Sequence, residues 1–193
     1  HGIEKQTTKE TADQIQQGIA KEILRFHVLA NSDSEEDQKL KLEVKDRLVD
    51  YMKDILDGAE DVKETKKRIT ENQETICLVA EQEIQKQGYT YPVSVNLEKC
   101  YFPMKTYGDC TFPAGTYEAL RVCIGKAKGR NWWCVLYPGL CFADSVNVIV
   151  PDEKKQELKN ILTEEEYESL FDWREDDYQI RSGFLRLWRK LFA

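Results

Sequence analysis

The hydrophobic period of this chain changes twice, and that limits the folds open to it. In "ILRFHVLANS", Leu24, Phe26, Val28 and Ala30 point one way and Ile23, Arg25, His27 and Leu29 the other, the two-residue repeat of a β-strand. The period then turns helical. "NSDSEEDQ" carries Ser32-x-x-Glu35, a capping box with acids crowded into the first turn, which predicts a helix N-terminus. Leu40, Val44, Leu48, Tyr51 and Ile55 form one stripe, and Gly58 ends the helix. A second long helix is predicted from Asp61 to Gln87, with Val62, Ile69, Ile76, Ala80 and Ile84 inward and Gly88 as its stop. From Tyr89 the period returns to two, with Tyr91, Val93, Val95 and Leu97 on one face. "TYEALRVCIGKAKGRNWWCVLYP" reads as a hairpin: a strand ending at Ile124, a tip "GKAKGR", and a return strand from Asn131.

Upstream, Ile15, Ile19 and Ile23 at helical spacing mark an amphipathic helix, and a highly charged helical stretch follows Pro151. No repeat, low-complexity linker or Pro/Gly-rich break divides the 193 residues. The expected fold is a single α+β domain: an antiparallel sheet, a long helical pair inserted between strands, and helical termini. Its parts are an N-terminal helical extension (1–22), the α+β body (23–150), and a C-terminal helical extension packed on the same domain (151–193).

Charge and cysteine usage narrow the function. A net charge of −7 argues against nucleic-acid binding, which needs a basic surface to neutralise phosphates. No apolar run approaches the ~20 residues of a membrane span. The six cysteines show no Cys-x-x-Cys spacing, and with two histidines no zinc pattern appears; neither a metal nor a cofactor is expected. An even count with short gaps fits disulfides in an oxidising compartment, six buried thiols being the alternative. The Pro138-Gly139 turn folds Cys141 back towards Cys134, and Cys100 and Cys110 flank "YFPMKTYGD", whose Pro103 and Gly108 suit a reversing loop. Both pairs are candidate bridges, which leaves Cys77 and Cys123 as thiols or a third bridge.

Candidate contact residues fall at three places. Arg25 and His27 share a strand face, and Asn31, Ser32 and Asp33 follow where the strand runs into a helix N-terminus, a point at which backbone N–H groups converge. A helix cap beside a half-buried strand face is the competing account. Lys126, Lys128 and Arg130 make a basic tip on an acidic protein, suited to an acidic partner or lipid head groups, or else simply a solvated turn. Trp132 and Trp133 are adjacent in a strand and face opposite ways, so one joins the core and the other is covered by a second layer or left for a partner. Near the end of the chain, Phe184, Leu185, Trp188, Leu191 and Phe192 alternate with Arg186, Arg189 and Lys190, as in an interfacial helix or one docked on its own sheet. Catalysis would have to use His27, the one internal histidine, and no nucleophile motif accompanies it: there is no Gly-x-Ser-x-Gly, His-Glu-x-x-His or Asp-Thr/Ser-Gly, and the tip lacks the order of a phosphate loop. No catalytic residue is assigned and the chain is not expected to be an enzyme.

"FHVLANSDSEEDQKLKLEVKDRL", "FPAGTYEALRVCIGKAKGRNWWCVLYPGLCF" and the helices between them resemble the stage II sporulation protein R family of endospore-forming bacteria, over about Ile23 to Ala143. The resemblance implies a signalling protein. Members are made in the forespore, exported across its membrane, and in the intermembrane space between forespore and mother cell trigger a membrane-embedded aspartic protease that processes the mother-cell sigma-E precursor. That protease is the expected partner, with the membrane surface as a further one. An exported location agrees with the cysteine reading, and the resemblance implies an export leader ahead of "HGIEKQTTKE". Cys134 and Cys141 lie in the family's Trp-Trp-Cys…Leu-Cys-Phe motif, whereas Cys100 and Cys110 do not belong to it. The competing function is an extracytoplasmic ligand-binding or wall-associated hydrolytic domain using the Arg25/His27 face. A deep polar pocket at His27 favours that second function and a flat exposed surface the first.

Overall fold

The strand at residues 24–29 alternates in residue type but not in burial, because every one of its residues is buried. The computed structural model describes residues 2–142 and 149–171, with side chains from residue 12 onward, and this strand, β1 (Leu24–Leu29), is central to it. A helix, α1 (Gly2–Glu22), leads directly into β1. After β1 come α2 (Glu35–Leu56), α3 (Val62–Glu71) and α4 (Gln73–Lys86), and then β2 (Val93–Phe102). A small hairpin, β3 (Lys105–Tyr107) and β4 (Cys110–Phe112), precedes β5 (Gly115–Ile124) and β6 (Asn131–Tyr137). A 3-10 turn at Leu140–Phe142 and two short helices, α5 (Asp152–Ile161) and α6 (Glu164–Ser169), complete the order.

The main sheet runs β2-β5-β1-β6, and β3 and β4 pair separately. The architecture is α+β with a mainly antiparallel sheet, as the periods predicted. Two details differ. β1 pairs with β5 in parallel, Phe26 opposite Leu120, and with β6 antiparallel, Phe26 opposite Cys134. The segments read as one hairpin, β5 and β6, are therefore not neighbours: β1 lies between them. A strand as apolar as β1 needs a hydrogen-bonded neighbour on each side and a covered face above and below, and residues 125–130 are long enough to step over it.

One face of the sheet carries Leu24, Phe26, Val28, Val95, Leu120, Val122 and Ile124, packed against Leu40, Val44, Leu48 and Met52 of α2, Ile69 of α3, and Ile76, Ala80 and Ile84 of α4. The other face gathers Ile19 and Ile23, Phe102, Tyr117, Ala119 and Val135 under Cys110 and Phe112 of the hairpin and Leu158, Leu162 and Leu170 near the C-terminal helices. α1 is held to β5 by Gln16, which donates to the Thr116 carbonyl at 3.2 Å. Thr163 and Glu166 form a capping box that starts α6.

Two helix boundaries shift from their predicted positions. α2 starts two residues later than the Ser32 box implies: its N-cap is Ser34, whose side chain accepts from the Asp37 N–H. Ser32 instead donates its hydroxyl to the Asp37 carboxylate at 2.6 Å. The second long helix is two, because Asn72 leaves helical geometry (φ −108°, ψ 9°). Its side-chain amide donates back to the Arg68 carbonyl and its oxygen accepts from the Tyr51 hydroxyl, the local competition by which Asn ends helices. Phe184, Leu185, Arg186, Trp188, Arg189, Lys190, Leu191 and Phe192 lie outside the described residues.

Leu120 is fully buried at the centre of the sheet, whereas Leu78 on α4 is 54% exposed. Leu120→Ala is expected to lower unfolding free energy by about 2–5 kcal/mol, and Leu78→Ala to change it by no more than about 0.5 kcal/mol. Urea unfolding of the two variants measures the contrast.

Candidate functional site

The second face of β1 is where the sequence reading and the structure part. Arg25 is fully buried. Its Nε donates to the Cys134 carbonyl at 3.1 Å and its Nη2 to the Tyr107 hydroxyl at 3.0 Å. The guanidinium lies over the Phe102 ring at 4.3 Å, with Tyr117 at 5.0 Å and Phe112 at 5.4 Å, so π faces supply much of the favourable field that solvent would otherwise give. His27, 4% exposed, stacks on Trp133 at 5.1 Å and leans on Phe102 at 5.0 Å. Neither ring nitrogen, nor Nη1 of Arg25, has a hydrogen-bond partner among the described residues. Burial, and then the positive charges of Arg121 and Arg25, bring the His27 pKa down to about 4. At neutral pH it is an uncharged ring inside an aromatic layer. Both residues were expected on a contact surface. The β3–β4 hairpin, α1 and the C-terminal helices cover that face, so both side chains are buried and not on a surface of the described residues. His27 faces neither a deep polar pocket nor open solvent.

The other contact residues converge. Residues 125–130 cross the C-terminal end of β1 and are pinned there. Asn31 Oδ1 accepts from the Lys126 N–H at 2.9 Å, the Ala30 carbonyl from Gly129 at 2.9 Å, and Asp33 Oδ1 from Arg130 at 2.7 Å. Lys41 of α2, buried and absent from the sequence-derived set, donates to the Arg130 carbonyl at 3.0 Å. Its ammonium is easier to deprotonate than usual, through burial first and the Arg130 charge second. Asp37 ties the corner from below, accepting from Asn31 at 2.8 Å and from Ser32. Burial pushes its carboxyl up, but the hydrogen bonds from Ser32, Asn31, Tyr91 and Ser34 outweigh that and hold it below its ordinary value. The backbone is fixed while the side chains of Lys126, Lys128 and Arg130 stay exposed. Asp33 and Arg130 meet at 3.5 Å with both side chains largely in solvent, a weak pair. Lys41 and Tyr91 had no distinguishing signal in sequence, since each sits where a helix or strand pattern already accounts for it.

Trp132 and Trp133 do face opposite ways. Trp132 meets Phe26 edge-on at 5.5 Å on the helical side, under the Lys45 ammonium, and Trp133 lies between His27, Phe102 and the Lys105 ammonium. Both are half-buried within the protein's own layers. A cleft of about 600 Å³ opens beside β6, between the α2–α3 turn and α5, with Leu56, Tyr137 and Phe142 among its apolar lining and Glu60, Glu153 and Glu157 among its acids. No sequence motif announced it.

All six cysteines are free thiols. Cys100 and Cys110 are not brought together as the reversing-loop reading expected. The reversal occurs at Gly108 (φ +58°), which aligns Cys110 against Tyr107, while Cys100 sits opposite Tyr117 in the main sheet. Burial raises the Cys110 thiol to about 12. Cys134 and Cys141 do converge: both thiols donate to the Val135 carbonyl, at 3.7 and 3.0 Å.

Two outcomes follow from this geometry. Because His27 ionises near 6.5 when exposed and near 4 when folded, the unfolded chain binds the extra proton. Stability is therefore complete above about pH 6.5 and declines as pH falls towards 4; the share held by the depressed Asp37 carboxyl is lost lower still. His27→Leu is expected to flatten the pH dependence of the unfolding midpoint across the window from 6.5 to 4. At the corner, a Cβ on Gly129 would collide with the Ser32 carbonyl, so Gly129→Ala should cost more than about 1 kcal/mol in urea unfolding.

Comparison with known proteins agrees with the resemblance drawn from the two long motifs. The family model described as stage II sporulation protein R matches residues 20–147, which span β1, the helices, the pinned corner and the Trp-Trp-Cys strand. The chain is 33% identical over 174 residues to "Stage II sporulation protein R" of Bacillus subtilis (strain 168), covering 88% of this chain and 76% of that protein. No solved structure matches. The chain belongs to the stage II sporulation protein R family.

Proposed function

We propose that this chain is an exported sporulation signal. In this reading it passes from the forespore into the space between the two membranes. There its surface engages a membrane-embedded aspartic protease of the mother cell, which then processes the sigma-E precursor. Family membership supports the sporulation role. The observation that carries the mode of action is the pinned corner. Three exposed cationic side chains stand on a backbone fastened to the end of β1, so little ordering entropy is lost when a partner is met. The role is recognition, because the one internal histidine is enclosed between Trp133 and Phe102 and cannot reach a substrate as a general base. That enclosure also weighs against the ligand-binding or hydrolytic alternative on the Arg25/His27 face.

Lys126, Lys128 and Arg130 would act mainly on encounter rate, in a salt-dependent way. Asn31 and Asp33 hold the tip in place, so they belong to the same surface as its supports. Trp132 and Trp133, half-buried, would contribute through their exposed edges.

The test is co-expression of the chain with the protease and precursor. K126E/K128E/R130E is expected to reduce precursor cleavage by about tenfold at low salt, with an unchanged urea midpoint. Normal cleavage by the folded triple variant would remove the tip as the receptor face. Anionic lipid is the competing occupant. Wild-type chain that sediments with phosphatidylserine vesicles, and a triple variant that does not, would assign the tip to the membrane surface instead.

A further inference from the structure

We propose that Cys134 and Cys141 form a dithiol that closes into an intramolecular disulfide by exchange with a disulfide donor, and that the closure fixes the wall of the cleft beside β6. The inference rests on the position of these two residues and not on the signalling role proposed above. Both thiols converge on one acceptor, the Val135 carbonyl, at 3.7 and 3.0 Å, which sets the two side chains beside each other. Cys134 is anchored in β6 and Cys141 in the 3-10 turn that follows. Gly139 and Phe142, from the segment between and just after them, line the cleft together with Leu136 and Tyr137. A covalent link between the two sulfurs would tie that turn to the strand.

Access sets the order of steps. Cys134 is 4% exposed and Cys141 half-buried, so Cys141 attacks first. Its thiolate displaces one half of the donor disulfide and forms a mixed disulfide. The Cys134 thiolate then attacks Cys141 Sγ and releases the second half. The two cysteines lose two electrons, the donor gains them, and the two thiol protons leave on the released thiols. Burial holds the Cys141 thiol well above its ordinary value, as does the neighbouring Cys134 thiol, and the Arg25 guanidinium of β1 works in the opposite direction. Among the described residues Tyr107 of β3 is the other titratable group facing the pair, and burial keeps its phenol neutral. Exchange is therefore slow at neutral pH and accelerates as pH rises, since the thiolate is the nucleophile.

The full-length chain, fully reduced, is incubated with oxidised glutathione, once folded and once while refolding from urea, then alkylated and mapped by mass spectrometry without reduction. A peptide linking 134 to 141 is expected as the main product in both arms, forming faster at higher pH in the folded arm and accompanied by greater amide-exchange protection of residues 139–142. Cys134→Ser should retain one glutathione on Cys141, whereas Cys141→Ser should leave Cys134 unmodified in the folded arm. The wild-type arms stand even where a variant fails to fold. If both residues remain alkylatable in both wild-type arms, or if either links to a different cysteine, the proposal is overturned.

Discussion

Everything in this molecule follows from the need to bury both faces and both edges of β1. A strand with Leu24, Phe26 and Val28 on one side and Ile23, Arg25 and His27 close together on the other cannot be left half in solvent, given how the second face is built. The first face is covered by α2 and α4 in the manner its apolar stripe demands. The second takes a more unusual cover. Four aromatic rings and a tyrosine hydroxyl enclose a guanidinium, and a neutral imidazole is stacked beside it. Arginine suits that place better than lysine, because a planar, delocalised, weakly hydrated cation can lie flat on rings while its N–H groups reach a carbonyl and a phenol. Removing any wall of that enclosure would leave a charge with neither solvent nor π faces around it, which is the costly case for buried ions.

That enclosure links parts of the chain that have no other reason to meet. The Nε hydrogen bond joins Arg25 to Cys134 across 109 residues, and the Tyr107 contact brings in the small hairpin. The β3–β4 hairpin thus serves as a lid for the second face, with Asp109 at its turn held by the Lys155 ammonium of α5 at 2.5 Å. The cleft lies where these covers give way to the α2–α3 turn, at the margin of β6.

Much of this was legible in residue order. The strand at 24–29, the start of the α2 stripe at Leu40, Val44 and Leu48, the stops at Gly58 and Gly88, the alternation through Val93 to Leu97 and the strand ending at Ile124 all follow from period and capping chemistry. The far end of the stripe buries Met52 and Leu56 where Tyr51 and Ile55 were expected. The opposed tryptophans follow from adjacency alone. Strand neighbours did not, because a six-residue tip between two strand patterns looks the same whether the strands pair or straddle a third. The misassigned surface has the same root. Arg25 and His27 alternate with apolar residues, which is what a solvent-facing edge also looks like, and only the return of the hairpin and C-terminal helices over that face distinguishes the two. Asn72 gave no sign as a helix breaker, since its effect depends on Tyr51 being placed to receive its side chain. Ser32 and Ser34 offer the same chemistry two residues apart, and which of them caps α2 depends on where β1 ends.

The placement of β1 between β5 and β6 also governs how the chain assembles in time. Its hydrogen-bonding partners are residues 119–123 on one side and 131–137 on the other, so the central strand has nothing to pair with until most of the chain is available. The helices α2 to α4 can form locally while β1 waits as an unpaired apolar segment. Such long loop closures make folding slow and leave a sticky strand exposed in the interim. The acids that open α2, Glu35 and Glu36, with Asp33 just before them, follow β1 immediately, and charge flanking an apolar strand disfavours its edge-to-edge association before its partners arrive.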